Sequence, residues 1–158
     1  MHAPSLSTVV YHGGSRDLAG ALKDSDVLLT SYGILRRDIE QLSRIPFALA
    51  VFDEVQHIKN TQTQAYQAAL AVRAASKIGL TGTPIENSLS DLKALMDLTV
   101  PGYLESDAAF EERYGAVIEA DPDSSRRPEL ERLIAPFTLR RLKKSVLTEL
   151  PPKIEDQR

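Results

Sequence analysis

The stretch LAVFDEVQ at residues 49–56 places two adjacent carboxylates, Asp53 and Glu54, at the end of a short apolar run. A second apolar run, Lys77 to Leu80, ends in the turn sequence TGTP at residues 81–84. Short runs of this kind are typical of buried strands. Nucleotide-hydrolysing α/β folds hold Mg²⁺ and activate water with acidic groups at the carboxyl end of a strand. The two runs therefore predict that chemically active side chains lie at one edge of a sheet.

Apolar, β-branched runs alternate with helical patterns through the first half of the chain. The predicted strands are Thr8 to Tyr11, Val27 to Thr30, Ala48 to Phe52 and Lys77 to Leu80. One helix is predicted after the cap pair Thr30-Ser31, and another after a T-x-x-Q capping box at Thr61, running to Ala75. This alternation indicates a mostly parallel sheet with helices on its faces.

The second half of the sequence is helical in pattern. The predicted elements are a helix from Leu89 that ends at Pro101-Gly102, a short helix with Phe110 and Tyr114 opened by Ser106 or Asp107, a polar loop at 120–125, and a helix from Pro128 to Ala135. No internal repeat is present.

The composition limits the kinds of protein that this chain can be. The chain has 158 residues, 42% of them apolar and 26% charged, with a net charge of -3 and no cysteine. These values are ordinary for one globular domain or part of one, and they argue against a chain that coats nucleic acid. A disulfide or thiolate metal site is excluded, and His2 and His12 are too isolated for a metal site. Because no apolar run approaches ~20 residues, we expect a soluble, intracellular protein without a membrane segment.

Each motif also has a purely structural explanation. An Asp-Glu pair after an apolar run can be a solvated strand end, and Thr-Gly-Thr-Pro can be a plain turn because Gly and Pro favour turns. Thr30-Ser31 can be no more than a helix cap, and Lys59-Asn60 alone carries no signal. The order of the motifs along the chain, rather than any one of them, decides between these readings.

Four motifs occur in a specific order: TSYGILRRDIEQL at 30–42, VFDEVQHIKN at 51–60, GLTGTPIENSLSDLKALMDL at 79–98, and PFTLRRLKKSV at 136–146 followed by ELPPK. This series resembles the first, N-terminal ATPase lobe of the SWI/SNF-type enzymes of helicase superfamily two, from about Pro4 to Glu155. The resemblance implies a partial RecA-like parallel sheet flanked by helices, with a helical protrusion after the TGTP motif. It implies a lobe over 1–88, the protrusion over 89–136, and a basic segment and linker over 137–158.

The resemblance also assigns chemical roles. Asp53 would hold the Mg²⁺ of Mg·ATP, usually through water, and Glu54 would orient and deprotonate the attacking water. Gln56 would couple the nucleotide site to the loop that contains Thr81, Gly82 and Thr83. The implied cofactors are ATP and Mg²⁺. Two departures stand out: Val55 replaces a common alanine, and Gln56 stands where many members carry histidine.

The implied partner is double-stranded DNA or nucleoprotein. Thr30, Ser31 and Tyr32 resemble the segment that contacts the DNA backbone through hydroxyl and amide donors, which positions the strand without reading its sequence. Arg140 and Arg141 resemble the segment that leads to the second lobe, where they would pair with acidic groups or DNA phosphate; a solvated basic face is the alternative. We expect a nucleoid-associated cytoplasmic location in a prokaryote and a nuclear one in a eukaryote.

The sequence contains no G-x-x-x-x-G-K-[ST] phosphate loop, since Gly13-Gly14 lacks both the spacing and the lysine. We therefore expect a fragment that is inactive alone and needs a phosphate-loop segment and a second ATPase lobe. The family topology predicts an open position between the Thr30 and Asp53 strands, with marginal folding, re-pairing of these strands, or supply by another chain as outcomes. A nucleic-acid or partner-binding remnant without ATPase activity, or an unstable product, are the alternatives.

Overall fold

The computed structural model describes residues 5–82 and 88–141 and forms two compact units, divided in sequence between Phe110 and Glu111. The first unit is an α/β structure with short parallel sheets flanked by helices, as predicted. Its strands are β1 (Thr8–Val10), β2 (Val27–Leu29), β3 (Phe47–Phe52) and β4 (Ala74–Gly79). Its helices are α1 (Leu18–Lys23), α2 (Tyr32–Arg37), α3 (Ile39–Leu42), α4 (Gln64–Ala71), α5 (Leu89–Thr99) and α6 (Asp107–Phe110), with a 3₁₀ turn at Val55–Ile58.

The four strands form two separate parallel pairs. β1 pairs with β2 in the register Thr8 to Val27, and β3 pairs with β4 in the register Phe47 to Ala74. Within the described ranges β2 and β3 do not pair with each other. The Thr30 and Asp53 strands have therefore not re-paired in the described residues, and the open position expected between them stays a prediction.

Both sheets present apolar side chains to solvent. The exposed apolar residues on strands are Val10, Val27, Leu29, Leu49, Val51 and Ile78. Strands of parallel sheets normally lie in the interior, with both faces covered by other elements. Leu28, Phe47 and Ala50 of the strands pack against the core, whereas the exposed apolar residues face solvent.

The core lies where α2, α4 and α5 pack near the 3₁₀ turn. Its most buried large side chains are Leu42, Val55, Ile58 and Leu98. The Tyr66 hydroxyl on α4 donates to the Ala94 carbonyl on α5 at 3.0 Å. The helix predicted from Leu89 thus contributes to the core of the first unit, which ends at Phe110, and the predicted division into a lobe and a protrusion stays a prediction.

Side-chain caps explain where the helices begin. The Ser31 and Ser88 hydroxyls accept from the third amide of α2 and α5, at 3.4 Å in both cases, so both predicted starts are confirmed. The capping box at Thr61 is wrong, because the cap of α4 is Thr63, whose hydroxyl accepts from the Tyr66 amide at 3.2 Å. Helix α4 also ends at Ala71 instead of Ala75, since the following residues enter β4.

A buried ion pair explains why one predicted helix is two. Arg16 donates from Nε and Nη2 to the Asp38 carboxylate at 2.7 and 2.9 Å, and the Tyr11 hydroxyl donates to it at 2.9 Å. Asp38 lies between α2 and α3, and its backbone leaves helical geometry there (φ -106, ψ 17). The hydrogen bonds from Arg16 lower the pKa of the Asp38 carboxyl below its usual value of 3.8. Sequence spacing alone gave no sign of this break or of α1.

The second unit contains a π-helical turn (Glu111–Gly115), α7 (Ala116–Ala120), α8 (Arg126–Ile134) and a 3₁₀ turn (Ala135–Phe137). Glu129 on α8 accepts from Arg126, Arg113 and Tyr114, and these bonds lower its pKa to about 2. The helix predicted from Pro128 begins two residues earlier. Tyr114, predicted in a helix with Phe110, lies in the π-helical turn. Across residues 5–82 and 88–141, the helices are all too short or too polar to traverse a bilayer.

The Asp38 network predicts a specific acid sensitivity. Because the folded-state pKa of Asp38 lies below 3.8, its contribution to stability is present above that pH and is lost as the pH falls through the lowered folded-state value. We expect Asp38→Asn to lower the urea midpoint at pH 7, and the difference from wild type to shrink below about pH 4. Urea unfolding from pH 7 to pH 2.5 measures this. Asp24→Asn, at an exposed carboxylate that ends α1, is the control and keeps the wild-type pH profile. If the difference in urea midpoint between Asp38→Asn and wild type stays constant with pH, the assignment is contradicted.

Candidate functional site

The acid pair and the Thr81 turn lie at the same edge of the β3–β4 sheet. Strand pairing continues past both strand ends, with the Leu80 amide donating to the Phe52 carbonyl at 2.8 Å and the Val55 amide donating to the Leu80 carbonyl at 2.9 Å. The bonded residues Phe52 and Val55 enclose Asp53 and Glu54 in the sequence, and Leu80 immediately precedes Thr81. Parallel pairing therefore brings two segments that are distant in sequence to the same carboxyl-terminal edge.

A chain of side-chain hydrogen bonds runs along this edge. Thr81 Oγ1 donates to Gln56 Oε1 at 2.6 Å, and Gln56 Nε2 donates to Glu54 Oε2 at 2.5 Å. The Asp53 carboxylate accepts from the Glu54 amide at 2.9 Å. Glu54 itself has φ +47, in the left-handed region that residues other than glycine rarely adopt, a feature that often occurs at functional sites. The structure thus joins three of the predicted coupling and catalytic side chains in one network.

The two carboxylates are exposed and available to a ligand. Neither acid forms an ion pair with a basic side chain in the described part of the chain. Mg²⁺ is commonly held through one or two carboxylates together with water and substrate phosphates, and the exposed Asp53 carboxylate fits that mode. No group of three or more potential metal-ligating side chains occurs among the described residues.

Tyr32 connects the predicted DNA segment to the acid pair. Its hydroxyl donates to the Asp53 carbonyl at 2.7 Å. Burial, with the negative charges of Asp53 and Glu54, raises the pKa of Tyr32 to about 12. Thr30 is anchored differently, since its hydroxyl donates to the Tyr11 carbonyl at 2.9 Å. The sequence predicts a DNA contact for Tyr32 but not this bond, because a sequence does not show which distant segments lie close together in the fold.

The loop after the acid pair is fixed to the core. Val55 and Ile58 of the 3₁₀ turn are buried, and Lys59 Nζ pairs with the Asp91 carboxylate of α5 at 2.5 Å. Asn60 Oδ1 accepts from the Gln62 amide at 2.9 Å, which shapes the turn toward α4. The lysine and asparagine of the HIKN sequence therefore have structural contacts that hold the acid loop in place.

Several predicted site residues lie in the second compact unit or outside the described ranges. Gly82 is exposed beside Thr81, whereas Thr83 lies outside the described residues. Arg140 and Arg141 are exposed and belong to the second compact unit. Their predicted roles stay predictions.

Gly79 makes room for Val55, the residue that departs from the family pattern. A Cβ atom added at Gly79 would lie 3.2 and 3.5 Å from the two Val55 methyl carbons and 3.6 Å from Thr99 Cγ2. Val55 is 2% exposed, so it has no free direction in which to move. The bulk of valine beside the acid pair is therefore accommodated by the missing side chain on β4.

Comparison with known proteins decides the family. The SNF2-related domain family model matches residues 1–158. The chain belongs to the SNF2-related family. It is part of the N-terminal lobe of a SWI/SNF-type helicase-like ATPase, as the motif order predicted.

Similar SNF2-related proteins are much longer than this chain. A putative ATP-dependent helicase/translocase, YwqA of Bacillus subtilis, is 39% identical over 161 residues, which cover 98% of this chain and 18% of that protein. The TATA-binding protein-associated factor MOT1 of Saccharomyces cerevisiae is 38% identical over 97% of this chain and 9% of its own length. The Sulfolobus solfataricus SWI2/SNF2 ATPase core in complex with double-stranded DNA superposes with a TM-score of 0.81 at 38% identity, over 94% of this chain and 31% of that one.

The Gly79–Val55 contact predicts a compensating pair of substitutions. Gly79→Ala should destabilise the first unit by about 1–3 kcal/mol, because the added methyl overpacks against Val55. Combining it with Val55→Ala should cost less than the sum of the two single losses, since the clashing methyls are removed. Chemical denaturation of the two single variants and the double variant measures the coupling. Additive losses would show that the two side chains do not compete for the same space.

Proposed function

We propose that this chain supplies the Mg·ATP hydrolysis motif and the DNA-backbone contacts of an ATP-dependent DNA translocase of the helicase-like kind. The observation that carries the proposal is the hydrogen-bonded series Glu54–Gln56–Thr81 at the sheet edge beside the exposed Asp53. A plain solvated strand end would not need a side-chain network that links it to a neighbouring loop.

In this proposal Asp53 and Glu54 have different roles at the nucleotide. Asp53 would hold the Mg²⁺ of Mg·ATP, and that ion would supply positive charge to stabilise the negative charge that develops on phosphate oxygens. Glu54 orients the attacking water and accepts its proton, which requires a carboxylate within hydrogen-bond reach. The bond from Gln56 Nε2 fixes the orientation of the Glu54 carboxylate.

Gln56 and the Thr81–Gly82–Thr83 segment form the proposed coupling element. Gln56 donates to the catalytic acid through its nitrogen and accepts from Thr81 through its oxygen. An amide side chain can make both bonds at once, so a shift of the Glu54 carboxylate on hydrolysis is passed to the Thr81 loop. Glutamine is therefore a functional substitute for the histidine that many members carry.

The proposed DNA contact centres on Ser31. Phosphate oxygens accept hydrogen bonds and offer none, so a protein group must donate a proton to them. The single hydroxyl protons of Thr30 and Tyr32 are already donated to the carbonyls of Tyr11 and Asp53. The exposed Ser31 hydroxyl accepts from the Ile34 amide and keeps its own proton for a phosphate. Arg140 and Arg141 would add contacts to DNA phosphate or to acidic groups of a second lobe.

These 158 residues are proposed to be inactive alone. They contain no phosphate loop, and the arginine finger that a second lobe supplies is worth ~10³–10⁵ in rate. In the family topology the phosphate-loop strand would lie beside the strand that ends at Thr81. Another missing strand would lie between the Thr30 and Asp53 strands, which do not pair in the described residues. The proposed location is the nucleoid-associated cytoplasm in a prokaryote or the nucleus in a eukaryote.

Hydrolysis is tested with the chain alone and with a chimaera. In the chimaera this chain replaces the matched segment of the Sulfolobus ATPase core, which restores a phosphate loop and a second lobe. We expect no turnover by the chain alone, DNA-stimulated ATP hydrolysis by the chimaera, and a fall of about 10²–10⁴-fold with Glu54→Gln. Glu40→Gln, at an exposed acid of α3, is the control and keeps activity. Turnover by the chain alone that Glu54→Gln abolishes would refute the claim of inactivity.

DNA binding by the chain is tested separately at Ser31. We expect salt-dependent binding of a duplex, weakened about 2- to 10-fold by Ser31→Ala because one hydrogen bond to phosphate is lost. Ser88→Ala is the matched control, since it removes an equivalent helix cap at α5 without touching the 30–32 segment. Fluorescence anisotropy at several salt concentrations measures both. Equal loss in the two variants would assign the effect to helix capping.

A further inference from the structure

The Tyr32 hydroxyl joins the first residue of α2 to the backbone of the acid pair. It donates to the Asp53 carbonyl at 2.7 Å, across 21 positions of sequence. Tyr32 immediately follows Ser31, the residue proposed to contact DNA, and Asp53 immediately follows β3. β2 and β3 are not paired in the described part of the chain, so this bond connects segments that no sheet ladder joins there.

The geometry of the Asp53–Glu54 peptide makes this bond consequential. The peptide unit is planar, so the Asp53 carbonyl and the Glu54 amide move together. The Tyr32 hydroxyl donates to the carbonyl of this peptide, and the Asp53 carboxylate accepts from its amide, that of Glu54, at 2.9 Å. A small displacement of the Tyr32 hydroxyl therefore rotates the plane and moves the Asp53 carboxylate and the Glu54 backbone together.

The segment that carries Tyr32 is rigid enough to transmit such a displacement. Ile34 and Leu35 of α2 are buried in the core of the first unit, at 6% and 7% exposure. The Ser31 hydroxyl caps the same helix through the Ile34 amide. A displacement of Ser31 is therefore transmitted to the first turn of α2, which contains Tyr32.

We infer that Tyr32 is a positioning residue that transmits the binding of DNA phosphate at Ser31 to the Asp53–Glu54 peptide. The inference rests on the proposed function and gives Tyr32 a role other than the phosphate contact predicted from the sequence. A phenol has one proton, and a proton donated to the Asp53 carbonyl is not available to phosphate. The link is separate from the Gln56–Thr81 pair, which reaches Glu54 through side chains.

Tyr32→Phe tests the inference because it removes the hydroxyl and keeps the ring. Tyr66→Phe is a matched control: its hydroxyl also donates to a backbone carbonyl, that of Ala94 at 3.0 Å, and burial likewise raises its pKa to about 12. The probe is a short DNA duplex added to the 158-residue chain, with the amide resonances of Asp53, Glu54 and Val55 followed by NMR. DNA affinity is measured on the same samples.

We expect the duplex to shift the Glu54 amide resonance in wild type and in Tyr66→Phe. In Tyr32→Phe the shift should be lost while DNA affinity changes by less than about 2-fold. In the chimaera, Tyr32→Phe should lower the DNA-stimulated kcat and leave unchanged the DNA concentration for half-maximal stimulation.

Two results overturn the inference while leaving the proposed function intact. One is a Glu54 shift that persists in Tyr32→Phe. The other is a loss of DNA affinity in Tyr32→Phe as large as that in Ser31→Ala, which would make Tyr32 a phosphate contact. Absence of DNA binding by the wild-type chain at low salt is a different result: it contradicts the proposed DNA contact, and the inference is lost with it.

Discussion

Parallel pairing of β3 with β4 is the constraint on which the site depends. The two strands end at the same level, and two further backbone bonds carry the pairing into the loops that follow. Without that register, the Gln56 side chain could not reach both Glu54 and Thr81. The strained backbone at Glu54 is tolerated because these bonds, the buried Val55 and the Lys59–Asp91 pair hold the loop on every side.

The predicted DNA segment depends on a second set of contacts. The ion pair of Arg16 with Asp38 fixes the end of α2, and the Tyr11 hydroxyl joins it from the end of β1. The Tyr11 carbonyl in turn accepts from Thr30, at the other end of the same segment. Arg16, which lies outside the four motifs, thus helps to determine the position of Ser31 and Tyr32.

The sequence was informative wherever a local pattern decides the structure. Within the described residues, apolar runs located the four strands, and the cap pair at Ser31 located the start of α2; the start of α5 was predicted at Leu89. It failed where distant contacts decide. The break at Asp38 depends on Arg16, the cap at Thr63 depends on a turn shaped by Asn60, and the Tyr32–Asp53 bond depends on the packing of α2. Motif order identified the acid pair, but only coordinates show that Tyr32 reaches its backbone.

The apolar surface on the strands has a consequence for handling the protein. Val10, Leu29 and Val51 are each more than half exposed, and the outer edges of two-stranded sheets offer unsatisfied amides and carbonyls. Such edges accept any extended segment, including one from another copy of the same polypeptide. We therefore expect self-association through added strands to increase as concentration rises, because a net charge of only -3 opposes it weakly.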